Sequence, residues 1–174
     1  KEVLAKILKE KEMFGSQNIG KGKLVAIEFS DPNVGKPMHF GHLRGTILGH
    51  SLSRLHEFAG YKVLRLNYLG DWGTQFGALI YAYKEWGDAS KFKKSPVRHL
   101  VELYVKFRNE EKKNPELSAK AREWFSKLEN NDKYALKLWK LFRSESIKEF
   151  KRLYKIFGVE FDLYNGEAYY APKG

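Results

Sequence analysis

Apolar positions along this chain switch between two periods, and the switches mark out its elements. Leu24-Val25-Ala26-Ile27-Glu28-Phe29 is a short, mostly apolar run closed by Ser30-Asp31-Pro32-Asn33, which predicts a strand. Leu43, Ile47, Leu52, Leu55 and Phe58 then recur at near-helical spacing, predicting a helix over 41–58 that Gly60 ends. Residues 61–68, carried by Val63, Leu64, Leu66 and Tyr68, predict a second strand, and residues 74–86 a second helix after Leu69-Gly70-Asp71-Trp72-Gly73. Strand, helix and strand in so short a span form a βαβ unit, so the strands should be parallel with a right-handed crossover.

Before this unit, residues 1–13 predict a short lysine-rich helix, followed by a polar, glycine-containing link over 15–23. After it the chain reads as helical. Val97, Leu100, Val101, Tyr104 and Phe107 give one amphipathic helix, residues 117–128 a second, and the run from Leu136 through Trp139, Phe142, Phe150 and Tyr154 to Phe157 a long third. Gly158 stops it, and Val159-Glu160-Phe161-Asp162-Leu163-Tyr164 predicts another strand. The aromatics among the lysines sit at core spacing and read as packing rather than as platforms for stacked bases.

Composition narrows the chemistry. The 174 residues hold no cysteine, which excludes disulfides, thiolate metal sites and cysteine nucleophiles. No apolar run is long enough to cross a bilayer and the start does not resemble a signal peptide, so a soluble, intracellular chain is the expectation. The net charge of +11 is unevenly placed. Residues 91–155 carry 19 Lys and Arg against nine Asp and Glu, a balance of +10; the remainder carries 13 against 12, or +1. A near-neutral body with one cationic lobe suggests a polyanionic partner, the alternative being an ordinary solvated helical surface.

The candidate chemistry sits at His39-Phe40-Gly41-His42, where a loop stiffened by Pro32, Gly35 and Pro37 opens the first long helix. A helix start offers unpaired amides and a partial positive charge, a natural seat for phosphate. Two imidazoles add ring donors, and the glycine leaves bare backbone for a flat ring to approach. Ligands of parallel sheets bind at the carboxyl ends of the strands, where this loop and the 70–73 loop both lie. Capping or packing roles for the two histidines are the alternative.

The block from Ile27-Glu28-Phe29-Ser30-Asp31-Pro32-Asn33 through Gly35-Lys36-Pro37-Met38 to His39-Phe40-Gly41-His42-Leu43-Arg44 closely resembles the signature of arginyl-tRNA synthetases. Arg65-Leu66-Asn67-Tyr68-Leu69-Gly70-Asp71-Trp72-Gly73-Thr74-Gln75-Phe76-Gly77 resembles that family's next strand and loop, and Phe161-Asp162-Leu163-Tyr164-Asn165-Gly166-Glu167-Ala168-Tyr169-Tyr170 a third block. The likeness runs from about residue 20 to the end. It implies an α/β fold: the first half of a Rossmann-type parallel sheet with a helical insertion. The expected divisions are an N-terminal helix and linker over 1–20, the half-sheet over 21–88, a basic helical insertion over 89–157 and a return strand over 158–174.

The resemblance also implies an activity: ATP-dependent formation of arginyl-adenylate and transfer of arginine to tRNA(Arg), in the cytoplasm, with ATP as substrate accompanied by Mg2+ and no protein-held metal. The substrate carboxylate is then the nucleophile, and the protein positions two anions and stabilises charge on the phosphorus oxygens. By the resemblance His39, Gly41, His42 and Lys36 bind ATP, with His39 and His42 donating to phosphate, Gly41 admitting the adenine and Lys36 neutralising pyrophosphate. Glu28, Asn33, His39, Asp71 and Gln75 bind arginine, Glu28 facing the guanidinium because its two oxygens match a planar N–H fork. Plainer roles stand beside these: a solvated loop lysine for Lys36, a paired or edge glutamate for Glu28 and a turn-bracing residue for Asp71. The basic lobe over 91–155 is expected to meet the tRNA.

The chain departs from the family in lacking its second lysine loop, Lys-Met-Ser-Lys-Ser, the second half of the nucleotide fold and the anticodon-binding domain. It therefore reads as a piece of a longer or split protein, with edges and apolar surface left uncovered. Two other readings are a nucleotidylyltransferase sharing the histidine motif and a non-catalytic, synthetase-like RNA-binding module.

Overall fold

The computed structural model describes residues 1–171; positions 172–174, the end of the expected return strand, lie outside the described residues. Its elements are α1 (Glu2–Glu10) with a 3-10 turn (Lys11–Met13), β1 (Leu24–Glu28), α2 (Phe40–Phe58), β2 (Lys62–Leu66), α3 (Thr74–Trp86), α4 (Ala89–Lys94), α5 (Pro96–Lys113), α6 (Glu116–Glu129), α7 (Lys133–Phe157) and α8 (Glu167–Tyr170). The strands pair in parallel, Leu24 opposite Lys62 through Glu28 opposite Leu66, with α2 as the crossover. The α/β reading holds, as do the long helices and both early strands.

Two short helices escaped the sequence pattern. α4 has a single buried residue, Phe92, and starts because Asp88 Oδ1 accepts the amides of Ser90 and Lys91. One buried side chain in six residues leaves no period to read. α8, four residues long, has none at all.

The strand expected over 159–164 is reduced to one parallel bridge, Leu66 with Leu163. Gly158 turns the chain in the left-handed conformation, and Asn67 N–H donates to the Leu163 carbonyl at 3.0 Å. The Arg65 amide is taken by the Asp162 carboxylate at 2.7 Å instead of by a backbone carbonyl, so no continuous ladder forms.

The core crosses the expected division at 88/89. Phe29, Val34 and Leu69 from the strand ends share one buried cluster with Phe142, Phe150 and Tyr154 of α7. A second cluster, with Ala78, Ala82, Leu103, Phe107 and Ala121, joins α3 to α5 and α6. Gly77 permits the latter contact: a Cβ there would run into the Ala121 carbonyl of α6. The helices over 89–157 therefore pack on α3 and on the loops that follow the two strands.

Other apolar surface is open, as expected. Leu48, Leu52 and Leu55 of α2, Leu24 of β1, and Val3, Leu4 and Leu8 of α1 are all about half exposed or more.

At the centre, the Tyr154 hydroxyl lies 2.7 Å from Ser30 Oγ and accepts from Asn67 Nδ2 at 2.9 Å. Tyr154→Phe should lower stability by about 1–3 kcal/mol, because it strands the buried Asn67 amide and takes one of two partners from Ser30. Urea denaturation of the 174-residue chain checks this, and an unchanged midpoint would refute it.

Candidate active site at the carboxyl ends of the strands

β1 ends at Glu28, and the next residues take backbone conformations that side chains rarely adopt: Ser30 has φ 81° and Asp31 φ 46°. Both are held in place. Ser30 is bonded to Tyr154, while Asp31 Oδ1 accepts the Tyr68 amide at 2.9 Å. Left-handed conformations at two successive side-chain-bearing residues persist only where surrounding contacts over-determine them. The loop is then stitched to the one after β2: Val34 N–H donates to the Gly70 carbonyl at 3.0 Å, and Gly70 N–H to that of Pro32 at 3.2 Å. From α7, Ser146 Oγ accepts the Gly35 amide at 3.0 Å.

The stiffened loop delivers His39 to the N-cap of α2, and the two histidines cap each other. His39 Nδ1 accepts the Gly41 amide at 3.1 Å, and His42 Nδ1 accepts the His39 amide at 3.2 Å. The arrangement is a capping box built from imidazoles instead of Ser and Glu. A ring nitrogen that accepts cannot carry the proton, so in each neutral ring the proton sits on Nε2. The rings are 4.0 Å apart between centroids, tilted by 47°, with His39 exposed and His42 half-buried. Burial, then the neighbouring His39, pushes the His42 pKa below the ordinary 6.5, so His42 is neutral at neutral pH. A pair of Nε2–H donors thus flanks the first amides of α2. Gly41 has a second reason to be glycine beyond leaving backbone bare: a Cβ there would lie 2.9 Å from His39 Cε1, against the capping ring.

Glu28 is exposed at the end of β1, in an acidic and aromatic neighbourhood. Burial chiefly, and then the nearby Glu28, raises the Asp31 pKa. The Tyr68 phenol is raised by desolvation, and then by Glu167 and Glu28. Tyr170 lies beside Tyr68, ring centroids 5.8 Å apart. Asp31, Tyr68 and Glu167 were not singled out in the sequence. Asp31 and Tyr68 meet because the strands pair, Glu167 joins them because the 161–170 segment folds back along β2, and a lone acid or tyrosine in a loop carries no periodic signal.

The other expected site residues are distributed as follows. Asn33 is exposed and forms a parallel bridge with Gly70. Gln75 is half-buried in the first turn of α3. The Lys36 ammonium lies 5.5 Å from the centre of the Tyr104 ring on α5. Asp71, expected at the arginine, has partners of its own. It is completely buried, with Oδ2 bound by Arg143 Nε at 2.6 Å and Oδ1 by the Ala168 amide at 2.9 Å, and its carbonyl accepts from Trp139 Nε1 at 2.7 Å. These bonds brace the 70–73 turn against α7, as the turn-bracing alternative would have it. A cleft of about 630 Å3 lies among Pro37, Met38, Pro96, Val101 and Leu153, and neither histidine lines it.

His42 should titrate below 6.5 by NMR, and His39→Ala should move it upward. The sign follows from linkage: the unfolded chain binds this proton more readily, so stability is intact above pH 6.5 and is lost as the pH falls from there toward the depressed folded value. A His42 titration at or above 6.5 would contradict the mutual cap.

The model of the family described as tRNA synthetases class I (R), catalytic domain, matches residues 3–173. The arginine–tRNA ligase of Alkaliphilus metalliredigens is 50% identical over 173 residues, 99% of this chain and 31% of that protein. That of Halothermothrix orenii is 51% identical over 169 residues, 97% of this chain and 30% of its own length. The crystal structure of arginyl-tRNA synthetase from Plasmodium falciparum superposes with a TM-score of 0.67 at 36% identity, covering 93% of this chain and 27% of that one. The chain thus spans about 30% of the length of these relatives. With its paired histidines at the head of α2 and a family match running almost end to end, the chain belongs to the class I arginyl-tRNA synthetase catalytic-domain family.

Proposed function

We propose that this chain supplies the part of an arginine–tRNA ligase that grips ATP and arginine during formation of arginyl-adenylate. The observation that carries the reading is the mutual cap of His39 and His42, which occupies both Nδ1 atoms and leaves an Nε2–H donor on each ring at the head of a 19-residue helix. Donors so placed stabilise charge that builds on the α-phosphorus oxygens while the arginine carboxylate attacks and pyrophosphate departs. They need no reorganisation at that moment, since each ring is locked through its other nitrogen. The carboxylate of the substrate is the nucleophile, so the absence of cysteine costs the reaction nothing.

Arginine fits the acidic neighbourhood of Glu28, Asp31 and Glu167, where Tyr68 offers an aromatic face to a planar cation. Glu28 is the carboxylate proposed to face the guanidinium, with Asn33 and Gln75 at the amino-acid end. Lys36 is proposed to meet the leaving pyrophosphate, which requires it to leave the Tyr104 ring. Mg2+ fits the triphosphate better than the protein here: the cap offers ring nitrogens, whereas Mg2+ seeks oxygen.

The transfer partner proposed is tRNA(Arg), met by the basic helices. α7 presents Lys133, Lys137, Lys140, Lys151 and Lys155 on one exposed face, about 33 Å long at 1.5 Å per residue. None of the five has an ion-pair partner among the described residues, whereas most lysines and arginines of α5 and α6 are bound to acids on their own helix.

In the complete enzyme, His42→Ala should slow arginine activation by on the order of 100-fold, and Glu28→Gln should erase the preference for arginine over lysine. Calorimetric binding of a non-hydrolysable arginyl-adenylate analogue, with the lysyl analogue as control, separates the two effects; undiminished selectivity in Glu28→Gln would sink the assignment. tRNA binding should weaken steeply with salt, and Lys137→Ala with Lys140→Ala should reduce the log–log slope by about 2. An unchanged slope would remove α7 from the interface.

A further inference from the structure

A second cleft, of about 500 Å3, opens between α4 and α5, lined by Lys91, Lys94, Ser95, Arg98, His99 and Glu102. Its polar groups are unbalanced in a particular way. His99 is only 5% exposed, and its Nε2 accepts the Asp88 amide at 3.0 Å. The ring proton of neutral His99 therefore sits on Nδ1, which is buried and has no hydrogen-bond partner. A buried donor left unsatisfied is costly, and such groups in folded proteins are rare enough to need a reason. The nearest acceptor is Glu102 Oε2, at 3.7 Å too far for a hydrogen bond, while Glu102 Oε1 is held by Arg98 Nε at 3.2 Å.

The charge around this donor is cationic. Lys91, Lys94 and Arg98 are exposed on the cleft walls, and neither lysine has an ion-pair partner among the described residues. Asp88, whose amide is bonded to the His99 ring, is committed through its carboxylate to capping α4, and the bond from the Lys91 amide holds that carboxyl below the usual range. α5 begins here too, an 18-residue helix with proline in its first turn and no side-chain cap from Ser95. Its partial positive charge adds to that of the three side chains.

We propose that this cleft binds a phosphate group. Lys91, Lys94 and Arg98 neutralise it, and the Nδ1–H of His99 donates to one of its oxygens as Glu102 swings aside. Glu102 already places a carboxylate between Arg98 and the buried ring, so it acts as an internal competitor for the incoming anion. The site lies on the α4–α5 corner, distinct from the His39–His42 cap, and uses none of the residues proposed there. The same chemistry serves a free phosphate or a phosphodiester of an RNA strand.

The test follows the His99 ring in the 174-residue chain by long-range proton–nitrogen correlation, during titration with inorganic phosphate and, separately, with an RNA oligonucleotide lacking terminal phosphates. The His99 Nδ1–H resonance should shift saturably with one or both. Lys91→Ala with Lys94→Ala, both exposed and harmless to folding, should weaken that binding about tenfold. Glu102→Gln should tighten it, and Lys6→Ala with Lys9→Ala on α1 should leave it unchanged. A response to phosphate alone identifies a free-anion site, and a response to RNA alone a strand contact; either supports the proposal. No shift with either probe, a shift undiminished by the Lys91/Lys94 pair, or equal weakening by the α1 pair would overturn it.

Discussion

The hydroxyl of Tyr154 is buried where three parts of the chain converge, and satisfying it ties them together. It meets Ser30 after β1, Asn67 after β2 and, through its own backbone, the last turns of α7. Ser30 Oγ lies 2.9 Å from Thr46 Oγ1, which donates to the His42 carbonyl at 2.8 Å. A polar thread thus runs from a helix far along the sequence to the carbonyl of one of the two capping histidines. Burial raises the phenol's pKa above its ordinary value, so the thread does not break near neutral pH. A buried network of this kind is rigid when complete and expensive when any member is lost.

The left-handed backbone at Ser30 and Asp31 is intelligible in that light. Those conformations cost energy that only fixed partners can offset, and Tyr154 and the Tyr68 amide are the partners. The turn they impose aims the loop so that His39 arrives at the start of α2 with its ring facing back onto Gly41. α7 restrains the same region twice more, through Ser146 on the Gly35 amide and Arg143 on Asp71. Its buried side holds both site loops while its exposed side carries the lysine row.

Charge is divided to match. Carboxylates gather at the strand ends, where a cationic substrate fits, and the outer helix faces are cationic, where a polyanion fits. Most bases of α5 and α6 neutralise acids a turn away, which leaves the free positive charge concentrated on α7 and the α4–α5 corner.

Much of this was legible from local pattern. The strands, the crossover helix and the long amphipathic helices follow from periodicity, because each depends on neighbours within a few residues. The histidine site was legible for the same reason: a cap involves residues three apart at a helix start. Three things needed the tertiary structure. The partner of the Asp71 carboxylate is Arg143, 72 residues away, which no local pattern announces. The expected strand at 159–164 shrank to a bridge because a side chain, Asp162, took the amide that a ladder requires. That the core spans residues 29–159 follows from Phe142, Phe150 and Tyr154 burying themselves under the sheet loops, which pattern alone does not show. A sequence determines by itself whatever its nearest neighbours can satisfy; the partners of buried polar groups are chosen in three dimensions, by what the fold brings within hydrogen-bond reach.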